Sequence, residues 1–161
     1  MKNFEALDIK YMKDALSEAK KSLLSEDVPI GAVIVCEDKI ISRAYNQVEK
    51  KNDSTAHAEI IAIKRAVKKN GYKHLLNCTI YTTLEPCAMC AGAIVLARIK
   101  RVVFASFEPK CGASLSLFNI TNDKRLNHRC QVTSGVLELE SSTLLKSFFK
   151  EIRAKRSQNN G

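Results

Sequence analysis

A chain of 161 residues with 45% apolar content can bury one sizeable core and is too short for two ordinary domains. Its 26 Lys and Arg against 17 Asp and Glu give a formal charge of +9, which suits a polyanionic partner or equally a solvated surface that happens to be basic. No apolar run approaches the roughly 18 residues that cross a bilayer, and the charged stretch from Lys2 to Lys21 holds no signal-length segment, so a cytosolic (cytoplasmic) protein without membrane association is expected.

Met12, Ala15, Leu16, Ala19 and Leu23 recur at helical spacing, which predicts an amphipathic helix over residues 8–24 capped by Asp8. The run Ile30 to Cys36 reads as a buried strand, and a turn at Asp38-Lys39 leads into a second strand, Ile40 to Tyr45. Residues 57–69 carry Ile60, Ile61, Ile63, Ala66 and Val67 at helical spacing and stop near Asn70-Gly71. Cys78 to Thr83 is a β-branched strand, and Pro86 suits the first turn of a helix whose body is Ala88 to Ala97. Arg101 to Ser106 is a further strand, followed by a Gly/Ser-bearing loop with one short helical piece. Gln131 to Ser134 is a fifth, weaker strand, and Glu138 to about Lys155 a last helix before a disordered polar tail, 157–161. Strands alternating with helices predict a single domain over 1–156, a three-layer α/β/α sandwich around a mixed sheet.

Two short segments carry the chemistry. His57-Ala58-Glu59 opens one predicted helix and Pro86-Cys87-Ala88-Met89-Cys90 opens the next. Two cysteines three apart share a helical face, and the positive helix end favours their thiolates. With His57 they form a His/Cys/Cys set, and three protein ligands are the mark of a catalytic zinc whose fourth position takes water. Zinc lowers the pKa of such a water to about 7. Glu59 is not needed as a ligand and is free to shuttle protons. The alternatives are a folding zinc closed by Cys36, Cys78, Cys111 or Cys130, and a Cys-x-x-Cys redox pair; neither explains a glutamate at this spacing. Six cysteines in a reducing compartment are expected as thiols or ligands, not disulfides.

The His-x-Glu and Pro-Cys-x-x-Cys pattern is a stated signature of zinc deaminases. At these residues the chain resembles the cytidine deaminase-like superfamily. Within it, Val28 to Val33, Thr55 to Glu59, Thr83 to Ala93 and Asn127-His128-Arg129 resemble the branch of bacterial tRNA-specific adenosine deaminases, over nearly the whole length. The resemblance implies a five-stranded sheet flanked by helices, a homodimer, one Zn2+ per subunit, and hydrolysis of adenosine to inosine at wobble position 34 of the tRNA anticodon stem-loop. It implies substrate contacts at Asn46, Ala58, Glu85, Pro86, Glu108, Lys110, Phe149 and Arg153, with Phe149 stacking on a loop base. Asn46 could instead simply end a strand, and Phe149 could belong to the apolar stripe of Leu145, Phe148 and Ile152. Glu108 stands where the family has aspartate, one methylene shorter. Lys150, Arg153, Lys155 and Arg156 are candidate phosphate contacts or a solvated face. A free nucleobase or nucleoside deaminase and a catalytically silent RNA-binding subunit remain the competing functions.

Overall fold

Alternation of side chains along the strands divides the core in two. In the computed structural model, which describes residues 4–161, five strands lie side by side: β1 (Gly31–Cys36), β2 (Lys39–Tyr45), β3 (Cys78–Leu84), β4 (Arg101–Ser106) and β5 (Gln131–Ser134). Residues 1–3 of the expected domain lie outside the described residues. The sheet order is β2-β1-β3-β4-β5; β1 is antiparallel to β2 and β3, whereas β3, β4 and β5 are parallel. Helices α1 (Ala6–Lys21), α2 (Val48–Lys51), α3 (Ala58–Asn70), α4 (Ala88–Leu96) and α5 (Glu138–Asn159) complete the domain. Ala32, Ile34, Ile80, Val102 and Phe104 pack against Ala58, Ile61 and Ala62 of α3 and Ile94 of α4. Their strand neighbours Val33, Val35, Tyr81 and Val103 face Tyr11, Met12 and Ala15 of α1, with Val136 leading into α5. Period-two alternation thus fills both faces and gives the expected α/β/α sandwich around a five-stranded mixed sheet.

Where α1 crosses β1 the packing tolerates no side chain. A Cβ on Gly31 would fall 2.0 Å from the Ala15 carbonyl oxygen and 2.5 Å from the Ala19 nitrogen. Glycine is required there by close approach of two backbones.

Several expectations need correction. Helix α1 starts at Ala6 behind Glu5 and ends at Lys21, the chain continuing as a 3-10 turn over Ser22–Ser25. Asp8 therefore sits inside the first turn and caps nothing. Its buried carboxylate accepts from Arg101 Nη1 at 2.8 Å and Nη2 at 2.7 Å, and from the Tyr81 hydroxyl at 2.8 Å. Burial works against its charge, but the bonds from Arg101 and Tyr81 outweigh this and hold it below the usual carboxylate range. The β1–β2 turn is at Glu37-Asp38, both left-handed at φ 48° and 58°, one residue before the expected position. Helix α2 was not foreseen; buried Asp27 accepts from the Glu49 and Lys50 amides at its start. The loop between β4 and β5 forms turns with no helical piece, and α5 continues to Asn159 through part of the expected tail.

Cys36 and Cys78 form a disulfide and are not independent thiols. They oppose one another in the β1–β3 register with Cα atoms 4.5 Å apart, the close spacing of a non-hydrogen-bonded antiparallel pair. Cys130 is a buried thiol and Cys111 an exposed one.

Candidate active site and metal centre

The site is assembled where two helices begin. His57 is the residue preceding α3 and Cys87 the residue preceding α4, each with extended backbone, at ψ 150° and ψ 174°. Cys90 lies one turn into α4, on the same face as Cys87. The His57 Nδ1 and the two sulfurs all lie within 4.8 Å of one another. Nδ1 is 3.6 Å from Cys87 Sγ and 3.5 Å from Cys90 Sγ. Zinc–sulfur and zinc–nitrogen bonds near 2.3 and 2.05 Å, set at tetrahedral angles, place sulfur and nitrogen about 3.5 Å apart. The three donors fit zinc in type and in spacing. Among the described residues no fourth donor joins the group. Cys36 and Cys78 are tied to each other and Cys130 faces the Ile99 carbonyl, which removes them as closing ligands.

The electrostatics favour the thiolate at Cys87. The Cys90 thiol beside Cys87, helped by His57, pulls the Cys87 thiol down to about 4, while the same bond with Cys87 and burial push Cys90 up. His57 is raised, chiefly by its contact with Cys87. The positive ends of α3 and α4 add to the preference for thiolate.

Glu59, in the first turn of α3, is 4% exposed, and burial raises its carboxyl above the usual range. One oxygen accepts from the Thr82 hydroxyl at 3.3 Å and the other lies 3.6 Å from Cys90 Sγ. Thr82 was not singled out from the sequence, although the signal is there: strand alternation places it on the same face as Ile80, a hydroxyl on an otherwise apolar buried face.

These groups lie in a cleft of about 1020 Å³ lined by His57, Glu59, Cys87 and Asn46, with Glu85 and Glu108 beside them and Phe149, Arg153, Lys155 and Arg156 contributed by α5. Asn46 is 5% exposed and donates Nδ2–H to the Val28 carbonyl at 3.2 Å. Its Oδ1 is the one buried side-chain oxygen or nitrogen among the described residues without a hydrogen-bond partner, which costs about 1–3 kcal/mol unless a donor arrives. Phe149 is 44% exposed and packs edge-on against Phe148.

Three other candidates stand elsewhere. Ala58 is buried at the start of α3, Pro86 is buried with its carbonyl accepting from Ala113, and Lys110 is exposed; none of the three lines the cleft. Glu85 turns its carboxylate into the loop that follows β4, and Glu108 accepts the Lys110 amide at 3.0 Å. Cys111 and Asp27, not expected at the site, also line the cleft.

Residues 5–106 match the family described as the cytidine and deoxycytidylate deaminase zinc-binding region. The chain belongs to this deaminase family. Both ligand-bearing segments and Glu59 fall inside the matched region, and all of α5 falls outside it. The deaminase is 49% identical over 146 residues to the tRNA-specific adenosine deaminase of Bacillus subtilis (strain 168), covering 91% of each chain. With the tRNA-specific adenosine deaminase of Aquifex aeolicus (strain VF5) it shares 48% identity over 143 residues, 89% of this chain and 94% of that one. A solved structure from a study of A-to-I editing by tRNA:A34 deaminases superposes with a TM-score of 0.81 at 40% identity, covering 84% of this chain and 99% of the other.

Proposed function

We propose that this deaminase hydrolyses adenosine to inosine at wobble position 34 of tRNA anticodons, with one zinc ion per chain held by His57, Cys87 and Cys90. The observation that carries the reading is the wall of the cleft. The metal-binding group and Glu59 share the cleft with an exposed aromatic ring and three cations of α5. A volume of about 1020 Å³ reaches the upper end of the roughly 300–1,000 Å³ typical of small-ligand pockets. A free base has no use for that rim, whereas an RNA loop stacks on the aromatic and pairs its phosphates with the cations. The names of the relatives point the same way.

When bound, zinc acts as a Lewis acid and makes water a competent nucleophile at neutral pH. Water adds to C6 of adenine, forming the C6–O bond, and Glu59 takes the proton that this releases. Glu59 delivers that proton to the ring nitrogen N1, then takes the second proton from the new C6 hydroxyl and passes it to N6, so that the C6–N6 bond breaks, the C6 carbonyl forms and ammonia leaves. A carboxyl whose pKa is raised by burial is suited to both halves of this exchange. The free Oδ1 of Asn46 accepts from a hydroxyl or N–H of the entering nucleotide. Phe149 stacks on a loop base, and Arg153 and Arg156 meet phosphates. The chain pairs with a second copy of itself as a homodimer. The location is cytoplasmic, where tRNA is available and where no membrane-spanning segment is required; no described helix is long and apolar enough to cross a membrane.

The test is incubation of zinc-loaded protein with a tRNA bearing A34, alongside free adenosine, cytidine, cytosine and guanine. Inosine confined to position 34 is expected. Turnover of a free base or nucleoside with the tRNA untouched would move the protein to small-molecule substrates. RNA binding without ammonia release would leave it a silent binding subunit.

A further inference from the structure

We infer that Glu85 is a positioning residue, the anchor around which residues 108–116 fold to form one wall of the cleft. The residue is 2% exposed, immediately after β3. Its Oε1 accepts three amides from consecutive residues, Ser114 at 3.2 Å, Leu115 at 2.7 Å and Ser116 at 2.8 Å. Its Oε2 accepts the Glu108 amide at 3.0 Å and the Ser116 hydroxyl. Successive amides converging in this way form an anion-binding concavity, here filled by the chain's own carboxylate. Among the described residues no Lys or Arg pairs with Glu85, so neutral dipoles alone compensate its charge. Both oxygens are committed to the loop, which leaves Glu85 to shape the site and not to touch substrate.

The fit of the loop around the carboxylate is close. A Cβ on Gly112 would lie 2.4 Å from Glu85 Oε2 and 2.5 Å from its Cδ, so only glycine lets the chain pass. Gly112 also donates to the Glu108 carbonyl at 2.8 Å and pairs with Cys87 in an isolated β-bridge. Glu108 and Cys111, which this arrangement holds, line the same cleft as the side chains of α5. The site of loop attachment is thus two residues ahead of Cys87, at the junction between sheet and α4.

Glu85→Gln keeps the shape of the side chain and sets an NH2 against an N–H donor whichever way the amide turns. Lys110 is exposed within the loop, so trypsin cleavage of the zinc-loaded full chain after Lys110 reports on loop order. The variant is expected to be cut there about tenfold faster than the parent, as loss of bonds to a charged acceptor implies. Zinc stays at one per chain, because the ligands and Glu59 are held by α3 and α4. In its kinetic part the inference rests on the tRNA deaminase reading: with an A34 anticodon stem-loop, KM rises on the order of tenfold and kcat falls less than threefold. Gly112→Ala, which leaves the charge in place and displaces the loop sterically, gives the same pattern, and Glu85→Asp restores part of the resistance to trypsin. If Glu85→Gln does not fold, Gly112→Ala and Ser116→Ala carry the comparison. Parental rates of cleavage after Lys110 with parental KM overturn the inference, and so does loss of zinc with collapse of kcat. A parent enzyme inactive on the RNA would count against the proposed substrate alone, since the cleavage comparison still decides the role of Glu85.

Discussion

Glu59→Gln separates chemistry from ligation and from folding. The substitution preserves shape in a site that is 4% exposed. The retained amide oxygen still accepts from Thr82, and the new NH2 faces the Cys90 sulfur where a carboxylate oxygen stood 3.6 Å away. No zinc ligand is touched, so metal content should remain at one per chain. Removing a carboxyl that burial disfavours as an anion does not weaken the fold, and the melting temperature should not fall. What disappears is the carboxyl proposed as the proton carrier beside the metal-binding group. General acid–base catalysis contributes about 10²- to 10⁴-fold, or roughly 3–5 kcal/mol of barrier, and here one residue serves both directions, which places the loss toward the upper limit. Single-turnover ammonia release on an A34 stem-loop, with metal analysis and calorimetry on the same sample, reads all three quantities. Retained turnover within tenfold of the parent, or loss of zinc, would refute the assignment of Glu59 to proton transfer. Cys87→Ala gives the converse, loss of the metal itself.

Asp8→Asn leaves Arg101 without its partner in a largely buried pair, at a cost of about 3 kcal/mol, or roughly 6–12 °C in melting temperature. Because the carboxyl of Asp8 is depressed in the folded state, the pair's contribution is complete above its ordinary value of 3.8 and is lost as pH falls through the lower folded value. Acid titration of stability should therefore show a step in the parent that the variant lacks, and identical acid profiles would remove the pair from the account. The Cys36–Cys78 bond spans 42 residues of sequence, for which chain entropy gives about 4 kcal/mol. Thiol titration of unfolded, unreduced protein should find four thiols, and reductant should lower the melting temperature; six thiols and no effect of reductant would contradict the bond. Phe149→Ala should weaken binding of an A34 stem-loop by about 1–3 kcal/mol with little change in melting temperature, since the ring is 44% exposed. The opposite outcome, lower stability with unchanged RNA affinity, would return Phe149 to the apolar stripe of its helix.

What was legible in the sequence was local. Periodicity and punctuation placed β4 and β5 on their observed residues and α3 within one residue at each end, because each element's pattern is complete within its own span. The His57, Cys87 and Cys90 group was readable for the same reason: each half is a short motif at a helix start, and the parallel β3–β4 connection needs α4 in that place. Contacts between distant positions were not legible. Asp8 looks like a helix cap until Arg101, 93 residues away, claims its carboxylate. Composition and compartment argued for six thiols, but strand register, invisible to composition, sets Cys36 opposite Cys78. Glu85 resembled a substrate contact by motif, and only the fold shows five donors already gathered around it. Helix α2 escaped because four residues carry no periodicity, and its cap, Asp27, comes from another segment.

Of the 22 residues in α5, only Ser141 and Phe148 are buried. Ser141 bonds to the Thr83 carbonyl and Ser106 to the Glu138 carbonyl, which fastens the first turn to the sheet. From Phe149 onward the helix is a cantilever: its free arm overhangs the cleft and meets the body again at the Lys155–Glu26 ion pair, where both side chains are more than half exposed. The helix is thus fastened to the sheet through its first turn, and near its other end a single exposed ion pair ties it to the body. On the proposed function, substitutions in the last two turns of the arm are expected to change affinity for an RNA loop while the melting temperature, set by the clamped end and the sheet, stays as it is.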